Sequence, residues 1–447
     1  MDARTVAAYD RPVPRYTSYP TAAQFGPSVG PAEHAAWLAG LGARPATFYL
    51  HVPFCRRLCF YCACNTVAMN RQESLEGYAS ALMRELELVS QAAPDVVVGA
   101  VQWGGGTPSQ LGAARLVSVG RRLAALFDVR SGREMSMEAD PRFCDEALAD
   151  AMAALGVTRV SLGVQDFDVA VQQAINRLQS AEVTAAALQQ LRRVGIRHFN
   201  IDLVYGLPRQ TLETLSRTLD AAIALEPDRF AVFGYAHVPW MKPRQKLIDA
   251  ATLPDATARA AMADLVEQRL VAAGYVKVGL DHYARRGDSL VRAASARALR
   301  RSFQGYVADE SPWVVGIGAS AISSLPQGYT QNAAQAAAYS QAVAQGGLAT
   351  VRGIAWSETD RLRGDIINEL MCHFEVDLAD ICRRHGTTPQ PLLADVPCLP
   401  TLIGDGLATL DGTRLSVTER GRPLVRSVCA AFDRHYTGGE GRHARGI

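Results

Sequence analysis

Six strand-like runs separated by helical segments are the feature that most restricts the fold of this 447-residue chain. Each run is rich in β-branched or aromatic residues, and the segments between them carry apolar residues at helical spacing, such as Tyr78, Leu82 and Leu86. Alternation of this kind predicts parallel strands. The runs end, in order, at Val52, Trp103, Glu138, Val164, Gly206 and Tyr235.

Six βα units are too few for a closed eight-stranded barrel. We therefore predict an α/β fold with a partial (β/α)6 barrel, whose open side would suit a large substrate. A helix is predicted to about Ala273, followed by a short strand at YVKVG, and the segments SFQGY and WVVGIGASAIS are expected to be loops. From about Ala355 the pattern changes to helices and a final LDG hairpin turn, which is typical of a mostly helical, winged-helix-like domain.

Three parts follow from this pattern. We expect an N-terminal arm over the active-site mouth at 1–35, a catalytic partial barrel at 36–325 and a C-terminal, mostly helical domain at 326–447. A formal net charge of +2 favours neither a nucleic-acid stripe nor a membrane-surface patch. The chain shows no secretory apolar region at its start and no apolar run of membrane-spanning length. We expect a cytoplasmic protein with no membrane span and no nucleic-acid partner.

Four cysteines lie within ten residues directly after the first predicted strand, namely Cys55, Cys59, Cys62 and Cys64. A Cys-x3-Cys-x2-Cys spacing lets three thiolates bind three irons of a [4Fe-4S] cluster and leaves the fourth iron open to a non-protein ligand. Tetrahedral zinc is an alternative, although no second ligand pair follows, and unligated thiols are another. The other five cysteines are scattered singly, which is typical of small buried hydrophobic residues.

Polar residues and glycines lie at the ends of the predicted strands, where barrel enzymes carry their chemistry, and one of them, Asp202, lies inside the fifth strand. We expect one rim to collect them. They are Cys55 to Cys64, Gly104, Gly105, Gly106 and Thr107, Glu138 and Asp140, Gln165 and Asp166, Asp202, and Ala236 and His237.

Several of these residues have both a functional and a structural interpretation. The glycine run could let a ligand approach the backbone, or it could be a simple turn. Glu138 could accept hydrogen bonds from a ribose diol, or it could form a salt bridge with a helix arginine. Asp202 lies within an apolar strand and needs a partner, for which Arg177 is a candidate. We interpret His51 as a core histidine that packs against the cysteine loop rather than as a metal ligand or base.

Taken together, these motifs resemble the oxygen-independent coproporphyrinogen III oxidase family, which are radical S-adenosylmethionine (SAM) enzymes of heme synthesis. The resemblance covers nearly the whole chain. The cysteine spacing alone indicates only the radical SAM superfamily, whereas the fourth cysteine and the N-terminal PRYTSYP indicate this family. The matching motifs are PRYTSYPTA, YLHVPFC, WGGGTP, GVQDF, NIDLVYGLP, YAHVP, FQGY and GASAIS.

The resemblance implies one [4Fe-4S] cluster bound by Cys55, Cys59 and Cys62, with Cys64 matching a cysteine that is not a ligand. It also implies two SAM molecules. The first would contact Tyr49, Gly105, Glu138 and Ile322. The second would lie near Tyr61, Gly106, Thr107, Gln165, Arg177, Asp202 and Ala236. The chain departs from the family pattern at Tyr61, Ala63 and Gly234, where the family has a phenylalanine, a glycine and a polar residue.

The activity implied by the resemblance is oxidative decarboxylation of two propionates of coproporphyrinogen III to vinyl groups, giving protoporphyrinogen IX by way of a 5'-deoxyadenosyl radical. It implies a porphyrinogen substrate, a low-potential electron donor such as flavodoxin or ferredoxin, and a monomer. The substrate carboxylates need cationic or N–H partners, for which Arg15 and Gln304 are candidates. The alternatives are another radical SAM enzyme that modifies porphyrins, and a heme-binding chaperone of the same family.

Overall fold

The six predicted strands form one continuous parallel sheet in the computed structural model, which describes Thr5 and residues 8–438. They lie side by side in chain order, and every neighbouring pair is parallel. This confirms the predicted α/β fold with its partial barrel. The strands are β1 (Pro45–Val52), β2 (Val97–Gly105), β3 (Met135–Ala139), β4 (Arg159–Gln165), β5 (His198–Tyr205) and β6 (Arg229–Gly234).

Helices fill the connections between these strands. The helix after β1 buries Tyr78, Leu82 and Leu86, the residues whose spacing predicted it. The helices of this part are α1 (Pro31–Ala39), α2 (Gln72–Ala92), α3 (Ala113–Leu126), α4 (Glu146–Leu155), α5 (Val169–Ala174), α6 (Ala181–Arg193), α7 (Leu212–Ala224) and α8 (Ala256–Ala272).

The sheet continues beyond the six parallel strands on both sides. The predicted strand YVKVG is β7 (Tyr275–Val278), and it pairs with β8 (His282–Arg285), which runs antiparallel to β6. After α9 (Ser289–Ser295), the chain forms a hairpin of β9 (Arg300–Ser302) and β10 (Gly305–Val307). The far side of the sheet carries β11 (Trp313–Ile317), β12 (Ile322–Leu325), β13 (Gly328–Asn332) and, after α10 (Ala336–Ala344), β14 (Thr350–Ala355).

The prediction that SFQGY and WVVGIGASAIS are loops is wrong. SFQGY is the β9–β10 hairpin, and WVVGI is β11, which lies parallel to β1 with Val315 and Ile317 fully buried. The glycines of this segment resemble loop residues, but they serve close backbone contact. A Cβ on Gly316 would lie 2.6 Å from the carbonyl oxygen of Ile322, so only glycine lets β12 approach β11 at this point.

The C-terminal part is mostly helical, as predicted. Its hairpin turns at the LDG sequence, and its helices pack around buried side chains such as Ile366, Leu370 and Leu415. The boundary predicted after residue 325 stays a prediction, and the barrel sheet itself continues to Ala355. The elements are α11 (Glu358–His373), β15 (Glu375–Asp377), α12 (Leu378–Arg384), α13 (Pro389–Ala394), α14 (Leu399–Gly404), β16 (Ala408–Asp411), β17 (Arg414–Val417) and α15 (Val425–Ala431).

The described part of the N-terminal arm packs against the C-terminal core and reaches the barrel rim. The Tyr16 hydroxyl donates to Asp433 Oδ2 at 3.1 Å, and the Arg15 guanidinium donates to the carbonyl oxygen of Gly234 at 3.2 Å. Among the residues that the structure describes, no helix combines the length and the apolar character needed to cross a bilayer.

A buried carboxylate ties α2 to the turn after β11. Glu85 is fully buried and accepts hydrogen bonds from the Gly318 amide at 2.6 Å, from Asn332 Nδ2 at 2.6 Å and from the Tyr339 hydroxyl at 2.6 Å. Burial raises the pKa of Glu85 to about 7, although all three hydrogen bonds lower it. The neighbouring Tyr78 hydroxyl donates to the His51 carbonyl oxygen, so α2 holds both this turn and the end of β1.

We expect the Glu85 carboxyl to make stability depend on pH. Because its pKa is raised in the folded state, its stabilising contribution is complete below about pH 4.5 and is lost as the pH rises through about 7, by up to about 3 kcal/mol. Urea midpoints from pH 5 to 8 should therefore rise for Glu85→Gln relative to the unsubstituted protein. Glu87→Gln, a change at a half-buried position on the same helix, is the control, because salt bridges with Arg84 and Arg122 lower the pKa of Glu87. A Glu85→Gln difference that does not change with pH would contradict the expectation.

Candidate active site

The register of β1 against β2 places the cysteine loop beside the glycine turn. Val52 pairs with Gly105, so the loop after β1 and the turn after β2 start at the same level. The Gly106 amide donates to the Val52 carbonyl oxygen and the Thr107 amide donates to the Phe54 carbonyl oxygen, both at 2.8 Å. Two segments that are 50 residues apart in the sequence are therefore joined through their main chains.

Glycine is required in this turn because atoms of the cysteine loop and of Glu138 lie too close to its backbone to leave room for a Cβ. A Cβ on Gly106 would lie 2.8 Å from the Phe54 carbonyl oxygen and 3.0 Å from Cys55 Sγ. A Cβ on Gly104 would lie 2.9 Å from Glu138 Oε1. The glycine run is therefore more than a simple turn, because it lets the cysteine loop and the β3 carboxylate approach the same backbone.

The cavity enclosed by the strand ends has a volume of about 910 Å³. Thirteen of the fourteen residues expected to hold the cluster and SAM line it, and only Ile322 does not. Those thirteen are Tyr49, Cys55, Cys59, Tyr61, Cys62, Gly105, Gly106, Thr107, Glu138, Gln165, Arg177, Asp202 and Ala236. Ile322 lines an adjoining cavity of about 560 Å³, and Tyr49 lines both.

The four thiols of the cysteine loop face this cavity in different environments. Cys59 is buried and accepts a hydrogen bond from Arg177 Nη1 at 3.5 Å, while Cys55 Sγ lies 3.5 Å from the Thr107 hydroxyl. Burial raises the pKa of the Cys55 thiol to about 11. Hydrogen bonding from the Cys64 thiol lowers the pKa of Cys62. Of the remaining five cysteines, four are buried, as predicted, whereas Cys398 is exposed, so the prediction is wrong for that residue.

A single zinc ion would need three or four ligands that converge on one point. Among the described side chains, no three His, Cys, Asp or Glu groups converge in this way. A [4Fe-4S] cluster takes its thiolates on separate irons. The thiol donors that line the cavity and the glycine-lined space beside Cys55 fit such a cluster.

Glu138 projects into the cavity from the end of β3. Its Oε2 accepts a hydrogen bond from the Gly105 amide at 3.2 Å. Burial and the nearby Asp202 carboxylate raise the pKa of Glu138 to about 8. No arginine of the described chain forms an ion pair with it, so the salt-bridge interpretation is wrong. Only Oε2 receives a donor from the protein, so Oε1 can accept a hydrogen bond from a ligand hydroxyl.

The suggested pairing of Asp202 with Arg177 is wrong. Asp202 accepts hydrogen bonds from the Ser161 hydroxyl at 3.0 Å and from Asn200 Nδ2 at 2.7 Å, and burial raises its pKa. Arg177 is instead paired with Asp140 at 3.3 Å. Uncharged donors thus hold the Asp202 carboxylate. They do not neutralise it, so the ionised group can attract a cation in the cavity.

Arg177 connects three walls of the cavity. Besides Asp140 and Cys59, it donates to the Gly163 carbonyl oxygen, and its buried Nε has no hydrogen-bond partner. Gln165 ends β4 and has a positive φ of 72°. The register between β4 and β5 shifts at this residue, and its side chain lines the cavity. An arginine and two carboxylates therefore share one enclosed space, which suits a zwitterionic ligand that carries an additional positive charge.

His51 is a buried structural histidine, as interpreted from the sequence. Its Nδ1 lies 3.1 Å from the Tyr49 hydroxyl and its Nε2 lies 3.3 Å from the Ser320 hydroxyl. Burial lowers its pKa to about 4, so the ring is neutral at physiological pH. His51 therefore positions Tyr49 against the turn after β11.

Sequence patterns do not identify Gln245, which joins two of the expected SAM contacts. Its side-chain amide is fully buried and donates to the carbonyl oxygens of Tyr61 at 2.8 Å and Ala236 at 3.1 Å. Its Oε1 accepts from the Val238 amide at 2.6 Å. A glutamine in a polar loop resembles a solvated residue, and no spacing in the chain distinguishes it.

Two family models match the chain. The radical SAM superfamily model matches residues 49–222, and the HemN C-terminal domain model matches residues 356–424. The first range covers the cysteine loop and the strands β2 to β5, and the second covers the C-terminal part from α11 to β17.

Similar proteins extend the match over almost the entire chain. An oxygen-independent coproporphyrinogen III oxidase of Bradyrhizobium diazoefficiens is 45% identical over 97% of this chain and 97% of its own length. That of Paracoccus denitrificans is 42% identical, covering 98% of this chain and 97% of its own. Among solved structures, the Escherichia coli coproporphyrinogen III oxidase HemN, a radical SAM enzyme, is 36% identical with a TM-score of 0.91, covering 94% of this chain and 98% of that one. This chain therefore belongs to the oxygen-independent coproporphyrinogen III oxidase family of radical SAM enzymes.

Proposed function

We propose that this protein converts two propionate side chains of coproporphyrinogen III to vinyl groups without oxygen, giving protoporphyrinogen IX in heme synthesis. The observation that carries the proposal is the single cavity in which the cysteine loop, the glycine turn and two buried carboxylates meet. The family relationship, with up to 45% identity in the relatives described above, supplies the substrate class. We further propose a cytoplasmic monomer that receives electrons from a low-potential donor such as flavodoxin or ferredoxin.

We assign Cys55, Cys59 and Cys62 as the ligands of one [4Fe-4S] cluster, because these three thiols have the spacing and line the same wall. When bound, the cluster supplies the electron that cleaves SAM to methionine and a 5'-deoxyadenosyl radical. Arg177 donates to Cys59 at 3.5 Å, which stabilises negative charge on that sulfur. The enclosing cavity walls exclude water from the reactive species.

The first SAM molecule is assigned to Tyr49, Gly105, Glu138 and Ile322. Glu138 lies where it can accept hydrogen bonds from a ribose diol, since only one of its oxygens receives a donor, the Gly105 amide. Tyr49 lines both cavities, and Ile322 lines the adjoining one. A ligand that contacts both residues would therefore lie where the two cavities meet. In this position the ligand would lie between the cysteine loop and the adjoining cavity.

A second SAM molecule is assigned to the other side of the cavity. Its expected contacts are Tyr61, Gly106, Thr107, Gln165, Arg177, Asp202 and Ala236. The Asp202 carboxylate would attract the ammonium or sulfonium charge, and the Arg177 guanidinium would attract the carboxylate. Asp202 has neutral hydrogen-bond donors and no direct ion pair, and burial raises its pKa, so a cationic ligand beside it would stabilise its ionised form.

The proposed reaction can be tested by anaerobic turnover. Reconstituted protein with dithionite, SAM and coproporphyrinogen III should give protoporphyrinogen IX and about two 5'-deoxyadenosine molecules per product, one for each propionate. Liquid chromatography coupled to mass spectrometry measures both products. Deoxyadenosine without a vinyl product would point to a radical enzyme with another substrate, and tight heme binding without turnover would point to the chaperone alternative.

Substitution of each assigned ligand should remove the cluster. We expect about four irons and four sulfides per chain after reconstitution, and a loss of most of both, with loss of turnover, in Cys55→Ala, Cys59→Ala and Cys62→Ala. Cys64→Ala should retain the iron, because Cys64 is not assigned as a ligand, and Cys144→Ala is a buried control outside the loop. Full turnover by Cys59→Ala would refute the assignment.

The second SAM site is tested through Asp202. Equilibrium dialysis should find two SAM molecules per chain, and Asp202→Asn should weaken the second about 10- to 100-fold, the effect of losing one interaction with a charged group. Asp220→Asn, on an exposed part of α7, is the charge-matched control. Unchanged binding of two SAM molecules by Asp202→Asn would exclude Asp202 from this role.

A further inference from the structure

A short basic turn at the surface of the protein lies directly against the cysteine loop. It contains a 3-10 helix, Pro243–Leu247, in the connection that follows β6. We call residues 241–247 the basic turn. Lysine occurs only three times in the chain, and two of the three, Lys242 and Lys246, lie in this turn. Such a concentration of lysine needs a physical reason, because arginine supplies almost all of the other positive charge.

Hydrogen bonds connect the basic turn to the cysteine loop. Arg244 Nη1 donates to the Thr66 hydroxyl at 3.4 Å, and its Nη2 donates to the Thr66 carbonyl oxygen at 3.3 Å. The buried Gln245 side chain donates to the Tyr61 carbonyl oxygen at 2.8 Å. Tyr61 directly precedes Cys62, so the basic turn contacts the main chain of the segment that carries the assigned cluster ligands.

The outer side of the basic turn combines apolar and positively charged side chains. Met241 is 51% exposed and Leu247 is 62% exposed. Lys246 is exposed as well, and Lys242 is half-buried. The next residue, Ile248, is instead buried and packs in one apolar cluster with the cysteine loop. The turn is therefore anchored on its inner side, while its outer side presents methionine, leucine and lysine to other molecules.

No acidic residue of the basic turn or the cysteine loop balances this charge. Residues 53–72 carry three arginines, residues 236–248 carry two lysines and one arginine, and neither segment contains aspartate or glutamate. The whole chain has 46 basic and 44 acidic residues, so this composition is local. The next acidic residue, Asp249, caps the turn that follows. Among the described residues, none of these six basic side chains forms a salt bridge, whereas the third lysine, Lys277, is paired with Glu267.

The position of this surface suits the delivery of electrons. The proposed function needs one electron at the cluster for each SAM molecule that is cleaved. Electrons pass between proteins only over short distances, so the donor must dock close to the cysteine loop. Lysines raise the rate of encounter with an acidic partner, and a small, partly apolar contact lets that partner leave after each transfer.

We propose that the basic turn is the docking surface for an acidic electron-transfer protein. The inference rests on the proposed function, since that function assigns the cluster to the neighbouring loop. In each encounter the low-potential flavin or iron-sulfur centre of the donor is oxidised by one electron and the cluster is reduced by one, while no bond forms or breaks between the proteins. Arg244 and Gln245 position the turn on the cysteine loop, and Lys242 and Lys246 attract the partner.

The proposal is tested by isothermal titration calorimetry of the reconstituted enzyme with oxidised flavodoxin, an acidic flavin protein. The double variant Lys242→Glu/Lys246→Glu should bind flavodoxin about 10-fold more weakly or worse, because two attractive charges become repulsive. Raising the NaCl concentration from about 20 to about 300 mM should weaken binding to the unsubstituted enzyme more than binding to the variant. Equal affinities of the two proteins would overturn the proposal.

Two further double variants separate the docking surface from net charge and from folding. Lys242→Arg/Lys246→Arg keeps both charges and should keep the affinity, so a loss as large as that of the glutamate variant would overturn the electrostatic role. Arg121→Glu/Arg286→Glu makes the same change of net charge at exposed arginines of α3 and of the loop after β8. This matched control should bind flavodoxin normally, and an equal loss of affinity there would refute a local surface.

An anionic membrane is the other macromolecular surface that lysines beside apolar side chains can bind. Vesicles of phosphatidylcholine with about 30% phosphatidylglycerol should not co-sediment with the enzyme. Vesicle binding that is lost in Lys242→Glu/Lys246→Glu, with flavodoxin binding unchanged, would identify a membrane site and overturn the proposal.

Stopped-flow absorption of the cluster measures electron delivery itself. Reduced flavodoxin should reduce the cluster of Lys242→Glu/Lys246→Glu about 10-fold more slowly than that of the unsubstituted enzyme. Photoreduced 5-deazariboflavin, a small uncharged reductant, should reduce both at the same rate, and a slower reaction with it would place the defect in the cluster and refute docking. Failure of the unsubstituted enzyme to form a vinyl product with dithionite would refute the proposed function, whereas normal turnover with unaffected flavodoxin binding by the variant would refute only the docking surface.

Discussion

The alignment of β1 with β2 is the constraint on which the site depends. The pairing of Val52 with Gly105 brings the cysteine loop and the glycine turn to the same level, and two main-chain hydrogen bonds join them at 2.8 Å. On the other side of β1, α2 holds the turn after β11 through Glu85 and Tyr78. A change of register by one residue would move every cavity residue of a strand to its opposite face.

Hydrogen bonds rather than direct ion pairs hold the two buried carboxyl groups near the cysteine loop. Glu138 accepts from the Gly105 amide, and Asp202 accepts from the Ser161 hydroxyl and the Asn200 carboxamide. Burial raises the pKa of both groups, because it penalises their ionised forms. A cationic ligand beside them would stabilise those ionised forms, and the sulfonium of SAM is such a cation.

Much of the site could be predicted because it follows the strand ends. Thirteen of fourteen expected residues line one cavity, since parallel strands place their carboxyl ends at one rim and the motifs follow those ends. The errors concern partners across space. Arg177 pairs with Asp140 rather than Asp202, and Gln245 joins Tyr61 to Ala236 without any local signal. The glycines of the β11 segment predict a loop because they resemble turn residues, whereas in the structure they permit close packing of the strands.

The alternation of strands and helices, the cysteine spacing and the family can be read from the sequence alone, because they depend on local periodicity and on motifs that are contiguous in the chain. Which charged side chains meet depends on how the chain folds in space. Arg15, Arg259, Arg301 and Arg426 are separated by tens to hundreds of residues and share no motif, yet they surround one pocket. Coulomb interaction depends on distance in space and on the surrounding dielectric, and neither quantity can be read from the order of residues in the chain.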